Sequence, residues 1–204
     1  MTYRTYVPGS AVFFDGDECR GIYYLESGLV GVRKTNADGS SALLHLVYPG
    51  QPFGFELLLV ARACCGSAEC IKPSRIGFIG KSAFTKMLDA QPALMFKLLK
   101  LTLVRLHEAD EKNFQSKTLP VRARLAYFIS ELKKRTALST RQNDIVLELP
   151  VNRRYLADLI GVRPETVSRT IKEIEDDGVA QFTNRTVRIP KWEALENEIE
   201  PVIV

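Results

Sequence analysis

The stretch from Asn152 to Pro190 constrains the fold of this chain more than any other. It opens on Asn152-Arg-Arg-Tyr-Leu-Ala-Asp-Leu-Ile-Gly161, where Tyr155, Leu156, Leu159 and Ile160 recur at helical spacing and leave Arg153, Arg154 and Asp158 on the other face. Gly161 ends that helix, because glycine accepts the left-handed conformation a tight inter-helix turn needs, and Val162 is placed to tuck into the core beneath it. Pro164 and Glu165 then open a second helix: proline is pre-organised for the first turn, and glutamate suits the positive end of the helix dipole. Val167, Ile171 and Ile174 supply its buried stripe, which sends Arg163, Glu165, Thr166, Ser168, Arg169 and Lys172 outward. Gly178 ends this helix, and Phe182-Thr-Asn-Arg-Thr-Val-Arg-Ile189 reads as a hairpin with an Asn-Arg turn. The order of elements is that of a winged helix-turn-helix.

The outward set has the chemistry of base edges. Arginine can bond guanine O6 and N7 with both arms of its fork, and glutamate can accept from cytosine N4. Glu165 and Arg169 are four apart on one face, so they can read neighbouring base pairs, or they can close an ordinary intrahelical salt bridge. Arg185 and Arg188 on the wing are candidates for phosphate contacts. The formal net charge is only +4, so affinity for nucleic acid requires a local basic surface. Arg122, Arg124, Lys133, Lys134, Arg135, Arg141, Arg153 and Arg154 provide a candidate for it.

A length of 204 residues allows two modest domains with a core in each. Residues 1 to about 90 read as short strands punctuated by Pro8-Gly9, Asp15-Gly16-Asp17, Ser27-Gly28, Asp38-Gly39 and Pro49-Gly50, the pattern of a small antiparallel barrel or roll. A helix starts near Ser82 and breaks at Gln91-Pro92, and a long helix without glycine or proline follows from Ala93 to about Ser116. On it Leu94, Leu98, Leu101, Arg105 and Glu108 repeat in steps of four and three, flanked by Leu99, Leu103 and Leu106. Such a seam suits a two-stranded coiled coil, and it also suits a core helix of one domain. Thr118-Leu119-Pro120 looks like a hinge, Val121 to Leu132 an amphipathic helix with Leu125, Phe128, Ile129 and Leu132 inward, Thr136 to Asp144 a loop, and Ile145 to Leu149 a strand. After the wing comes a short acidic tail helix whose Trp192 is expected in the core. No apolar run is long enough to cross a bilayer and Met1-Thr-Tyr-Arg-Thr-Tyr6 has no signal-peptide character, so a cytoplasmic protein with no membrane partner is expected.

The run Leu149-Pro-Val-Asn-Arg-Arg-Tyr-Leu-Ala-Asp-Leu-Ile-Gly-Val-Arg-Pro-Glu-Thr-Val-Ser-Arg169 resembles the helix-turn-helix signature of the CRP/FNR transcription regulators. Glu165, Ser168 and Arg169 are similar to the FNR branch, whose half-site is TTGAT. The glycine spacing of Gly9, Gly16, Gly28, Gly39, Gly50 and Gly54, with Tyr23-Tyr24-Leu25-Glu26-Ser27-Gly28, resembles that family's sensor domain. The resemblance implies an α+β chain: a cyclic-nucleotide-binding-like antiparallel β-roll over 1–91, a dimerisation helix over 92–117, and a winged helix-turn-helix over 118–204. It also implies a homodimer, a palindromic double-stranded operator and a contact with RNA polymerase.

What the roll senses is a separate question. Family members that bind a cyclic nucleotide carry Gly-Glu, a short loop, then an arginine that pairs with the cyclic phosphate, without which a buried anion is strongly disfavoured. Here Gly54-Phe55-Glu56 contains an inserted phenylalanine, and Gly66 stands where the arginine is expected. Arg62 is a loop arginine that could substitute or simply be solvated, and Ala109-Asp110 replace the adenine-contacting pair. Cyclic AMP is therefore disfavoured.

Cys19, Cys64, Cys65 and Cys70 form a complete four-thiolate set for an iron–sulfur cluster or another soft metal. They also suit small apolar core positions or, behind these, a reversible thiol switch. The family's cluster pattern of three cysteines ahead of the roll is not matched, so its ligand set does not carry over. Haem ligation by His45 or His107 ranks behind these. The rival class is a metal- or redox-binding protein with an incidental helix-turn-helix; no nucleophile–base pair, phosphate loop or paired-acid motif supports an enzyme.

Overall fold

The computed structural model describes residues 1–60, 63–64, 66–136 and 143–199. The chain forms two compact units, Met1–His107 and Glu108–Val204.

In the first unit β1 (Thr2–Tyr6), β2 (Ala11–Phe13), β3 (Gly21–Thr35), β4 (Ser41–Val47), β5 (Pro52–Phe53) and β6 (Ser67–Gly80) make an antiparallel sheet in the order β1-β6-β3-β4, with β2 on β6 and β5 on β3. The long strands β3 and β6 form its spine, paired from Gly21↔Gly80 to Arg33↔Ser67. The register breaks on either side of Ser27, and Gly28 has φ 101° there. A Cβ at Gly28 would lie 2.3 Å from the Pro73 carbonyl oxygen, so only glycine lets the strands bend this closely past each other. Leu25, Val30, Val47, Phe53 and Ile76 fill the roll, together with Cys64 and Cys70. Tyr23 stacks on Phe53 at 5.3 Å and meets Phe13 in a tilted contact at 5.4 Å.

Helix α1 (Phe55–Val60) lies between β5 and β6, and α2 (Lys81–Ala90) and α3 (Pro92–Thr118) come after β6. The short helix α1 occupies ground that the sequence marked only as a loop. A helix this short has little stability of its own and forms through tertiary packing. Here Phe55 is buried with Ile22, Ile79, Phe84 and Leu98, and Leu58 packs beside them.

The same cluster gives one face of the long helix the core-helix role that its spacing also allowed. Leu98 is 5% exposed and, with Leu94 and Leu101 against it, packs into the roll's own second core. Arg105 turns the same way, donating to the Glu56 carboxylate and, at 2.8 Å, to the Pro52 carbonyl, with its guanidinium 5.5 Å from the Phe55 ring centre. Leu98 and Arg105 are therefore engaged within the chain, and Leu94 and Leu101 are partly covered by the same cluster. Glu108, the fifth seam residue, is exposed and accepts from Arg135 at 3.1 Å. The apolar row that α3 leaves uncovered is Phe96, Leu99, Leu103 and Leu106, all more than half exposed.

The second unit contains the last turns of α3 and α4 (Val121–Thr136), β7 (Asn143–Glu148), α5 (Arg153–Ile160), α6 (Pro164–Asp176), β8 (Gln181–Thr183), β9 (Thr186–Lys191) and α7 (Trp192–Glu196). The three strands form an antiparallel sheet in the order β7-β9-β8. Leu125, Ile129 and Leu132 of α4 are buried as expected, with Phe128 half-buried at the edge. Most of the loop expected between Thr136 and Asp144 lies outside the described residues. Trp192 is not core: it is half-exposed, its indole N–H donates to Glu196 at 2.6 Å, and the Lys133 ammonium stands 3.7 Å from its ring centre. Its polar N–H finds a partner at the surface that an apolar core would not offer. Among the described residues no helix is long and apolar enough to cross a membrane.

Candidate nucleic-acid interface

The helix pair α5 and α6 is fixed by local chemistry at each end. Asn152 caps α5, its side-chain oxygen accepting from the Tyr155 N–H at 2.9 Å. Gly161 closes α5 in the left-handed region at φ 70°, and the Val162 N–H returns to the Ala157 carbonyl at 3.0 Å. Arg163 is extended at φ −79° and ψ 150°, and Pro164 starts α6. Val167, Ile171 and Ile174 are buried as the spacing requires, joined by Thr170, which the apolar pattern did not mark.

This anchoring leaves the opposite face of α6 open. Arg163, Glu165, Ser168, Arg169 and Lys172 are exposed and Thr166 is half-buried. No ion pair or hydrogen bond among the described residues engages the side chains of Glu165 or Arg169, so the intrahelical salt bridge that competes with base reading is not formed. At the other end of α6, the Glu175 carboxylate accepts from the Phe182 N–H at 2.8 Å and ties the helix to the wing. The wing turns at Asn184, φ 52°, and presents Arg185 exposed at its tip.

The wider basic surface is smaller than its residue types suggest. Arg188 makes two bonds to the Asp144 carboxylate, at 2.6 and 3.1 Å. That pairing holds the Asp144 carboxyl below its usual range, and Arg188 is committed to it in the free protein. Arg122 is clasped by Glu198 at 2.6 Å and Asp177 at 2.5 Å. Arg124 points inward: one guanidinium nitrogen donates to the Ile160 carbonyl at 2.8 Å, and its Nε is buried without a partner among the described residues. Burial pushes its pKa down. Arg124 thus caps the C-terminus of α5 at the inter-helix turn, a positioning role that its place in a basic run did not signal. Lys134 pairs with Glu131 at 2.7 Å, and Arg141 lies outside the described residues. Among the described residues Arg153, Arg154, Arg163, Arg169, Lys172 and Arg185 keep exposed cationic ends with no ion pair, all on α5, at the start of or along α6, or on the wing.

The roll shows what became of the ligand cassette. A Cβ at Gly66 would lie 2.9 Å from the Arg33 carbonyl oxygen, so the backbone passes β3 too closely for the arginine a cyclic phosphate needs. Glu56, the cassette's acid, is held by Arg105 instead. Cys19 and Cys64 bring their sulfurs to 3.3 Å. Cys70 is fully buried on β6, where desolvation raises its thiol pKa. Cys65 lies outside the described residues, and among those described no three His, Cys, Asp or Glu side chains gather around a common point. Two adjacent thiols supply half of the four ligands that an iron–sulfur cluster takes. His45 is on β4 and His107 is exposed on α3.

A roll carrying a helical cassette, followed by a winged helix-turn-helix with an open second helix, defines a two-domain regulator class. The Cyclic nucleotide-binding domain family matches residues 3–91 and the Crp-like helix-turn-helix domain family residues 123–198. The chain belongs to the CRP/FNR family of DNA-binding transcription regulators. Its relatives include a Nitrogen fixation regulation protein FixK of Azorhizobium caulinodans, 25% identical over 95% of this chain and 77% of that one. The Transcriptional activator protein FnrL of Cereibacter sphaeroides is 26% identical over 87% of this chain and 71% of its own. These relatives are transcription regulators, not enzymes. The structure of FixK2 from Bradyrhizobium japonicum has the same fold, with a TM-score of 0.83, 23% identity and 96% of both chains covered. A CRP/FNR-family regulator from Thermus thermophilus does too, at 0.78, 22% and 98% of both.

Proposed function

We propose that the chain acts in the cytoplasm as a homodimer that binds a palindrome of TTGAT-like half-sites and contacts RNA polymerase, under control of a signal received by the roll. The observation that carries this is the open face of α6, where Glu165, Ser168 and Arg169 are exposed and unpaired above a buried stripe. Arg169 is the guanine reader and Glu165 the acceptor for cytosine N4. Arg163, Thr166 and Lys172 flank them, while Arg153 and Arg185 bind phosphates. Arg188 stands beside them on the wing, paired with Asp144 in the free protein.

A single recognition helix buries too little to discriminate an operator among genomic competitors, and two-fold sites are met by two-fold proteins. The second copy docks along Phe96, Leu99, Leu103 and Leu106, the uncovered row of α3, setting two α6 helices about 34–36 Å apart. The signal is a redox one, received at the roll's cysteines rather than by a cyclic nucleotide. The test is fluorescence anisotropy at fixed salt with a TTGAT palindrome and a scrambled duplex. Preferential binding to the palindrome, reduced by Arg169→Ala to the level of scrambled DNA, is the expected result; equal affinity for both duplexes defeats the proposal.

A further inference from the structure

The cysteine pair in the roll allows the redox signal to be specified by residue and reaction, an inference that rests on the regulatory reading above. Cys19 lies in the turn between β2 and β3, and Cys64 lies 45 residues later in the connection between α1 and β6. The backbones of these two segments are already zipped together. The Gly16 N–H donates to the Cys64 carbonyl and the Cys64 N–H to the Asp17 carbonyl, both at 2.8 Å, and Glu18 bridges Ala63 in antiparallel register. The sulfurs stand 3.3 Å apart, near the roughly 2.05 Å of a disulfide bond.

The two thiols are unequal. Cys19 is partly exposed, while Cys64 is 7% exposed behind it. That is the arrangement of an attacking and a resolving cysteine. Cys70 belongs to the same core cluster but is fully buried, and desolvation pushes its thiol pKa up. A disulfide here would tie the β2–β3 turn to the segment leaving α1. The first residues of α1 are the ones that hold α3, through Glu56 to Arg105 and through Phe55 to Leu98.

We propose that Cys19 and Cys64 are a reversible dithiol–disulfide pair, oxidised by low-molecular-weight disulfides, and that this pair is the input by which the roll controls DNA binding. In the first step the Cys19 thiolate attacks one sulfur of the small disulfide. A mixed disulfide forms on Cys19, and the first small thiol leaves with the proton Cys19 gave up. In the second, the Cys64 thiolate attacks Cys19 Sγ, the Cys19–Cys64 bond forms, the mixed bond breaks, and the second small thiol departs with the remaining proton. The two cysteines together lose two electrons and two protons, and the small disulfide gains them.

The experiment exposes the reduced full-length protein to oxidised glutathione, traps remaining thiols with N-ethylmaleimide, maps the peptides by mass spectrometry, and measures anisotropy on the TTGAT palindrome before and after. The expected map shows a Cys19–Cys64 linked peptide with Cys70 still a thiol. The expected change in DNA affinity is about 5- to 150-fold, reversed by dithiothreitol. Cys64→Ser should retain glutathione on Cys19, Cys19→Ser should stay reduced at position 64, and both should lose the affinity change, whereas Cys70→Ser should keep it. Linkage through Cys65 or Cys70, or a Cys19–Cys64 disulfide that leaves DNA affinity unchanged, overturns the proposal. Should neither redox form distinguish the palindrome from scrambled DNA although the linked peptide forms, the input role falls together with the DNA reading. The peptide map separates that failure from one of the thiol chemistry.

Discussion

Substituting Leu103 by glutamate separates the two apolar rows of α3. Leu103 is 55% exposed in a row with Phe96, Leu99 and Leu106, whereas Leu98 is 5% exposed against Ile22, Phe55, Ile79 and Phe84. Burying a whole leucine side chain is worth about 1.5–3 kcal/mol, so covering the exposed half of Leu103 contributes about 1 kcal/mol in each protomer. Leu103→Glu forfeits this twice across a two-fold seam and places two carboxylates there, whose desolvation adds several kcal/mol more. A total above about 3 kcal/mol raises the dimer dissociation constant more than about 100-fold. Sedimentation equilibrium over a concentration series should show wild-type dimers and Leu103→Glu monomers, with the melting temperature of the variant's folded unit little changed. Leu98→Ala should do the opposite. It opens a cavity costing about 2–5 kcal/mol and lowers Tm by roughly 10 °C or more while leaving the seam intact. A Leu103→Glu protein that dimerises like wild type, or a Leu98→Ala protein that dissociates with its Tm preserved, refutes the assignment of faces.

Three further outcomes follow from the geometry. Arg169→Ala should cost about 1–3 kcal/mol on the palindrome and relax discrimination at the G·C pair, whereas Arg185→Ala should weaken specific and scrambled duplexes about equally; anisotropy titrations on both duplexes check this. Arg124→Ala should destabilise the second unit by about 1–3 kcal/mol in urea unfolding, because the Ile160 carbonyl at the inter-helix turn loses its donor. For Cys70, burial raises the folded-state pKa above that of the unfolded chain, so its thiolate appears only at higher pH. In native protein alkylation of Cys70 should lag that of Cys19 throughout neutral pH and accelerate later on the pH scale, a lag that denaturation removes; equal native rates contradict the burial argument.

The winged helix was legible because each of its boundaries is a local signal. Asn152, Gly161, Pro164 and Gly178 act within one or two residues of the turn they make, and the Val167, Ile171, Ile174 stripe needs only helical periodicity. The roll was legible from its turn glycines for the same reason. What the sequence left open depends on partners far along the chain. α3 carries two apolar rows of similar spacing, and the choice between them is made by Ile22, Phe55 and Ile79, which no window on the helix contains. Helix α1 forms because that same surface receives it. Arg122, Arg124 and Arg188 look like surface cations until Glu198, the Ile160 carbonyl and Asp144 arrive, 76, 36 and 44 residues away. The cysteines were recognisable as chemistry, but only the pairing of two distant turns selects Cys19 and Cys64 among them.

Whether the open face of α6 reads a defined sequence is tested most directly by anisotropy with reduced protein at a single salt concentration. A labelled duplex carrying two TTGAT half-sites one helical turn apart, titrated beside a scrambled duplex of the same composition, should bind at least about 1000-fold more tightly. Equal binding curves on the two duplexes, with the protein folded and dimeric, would contradict that reading.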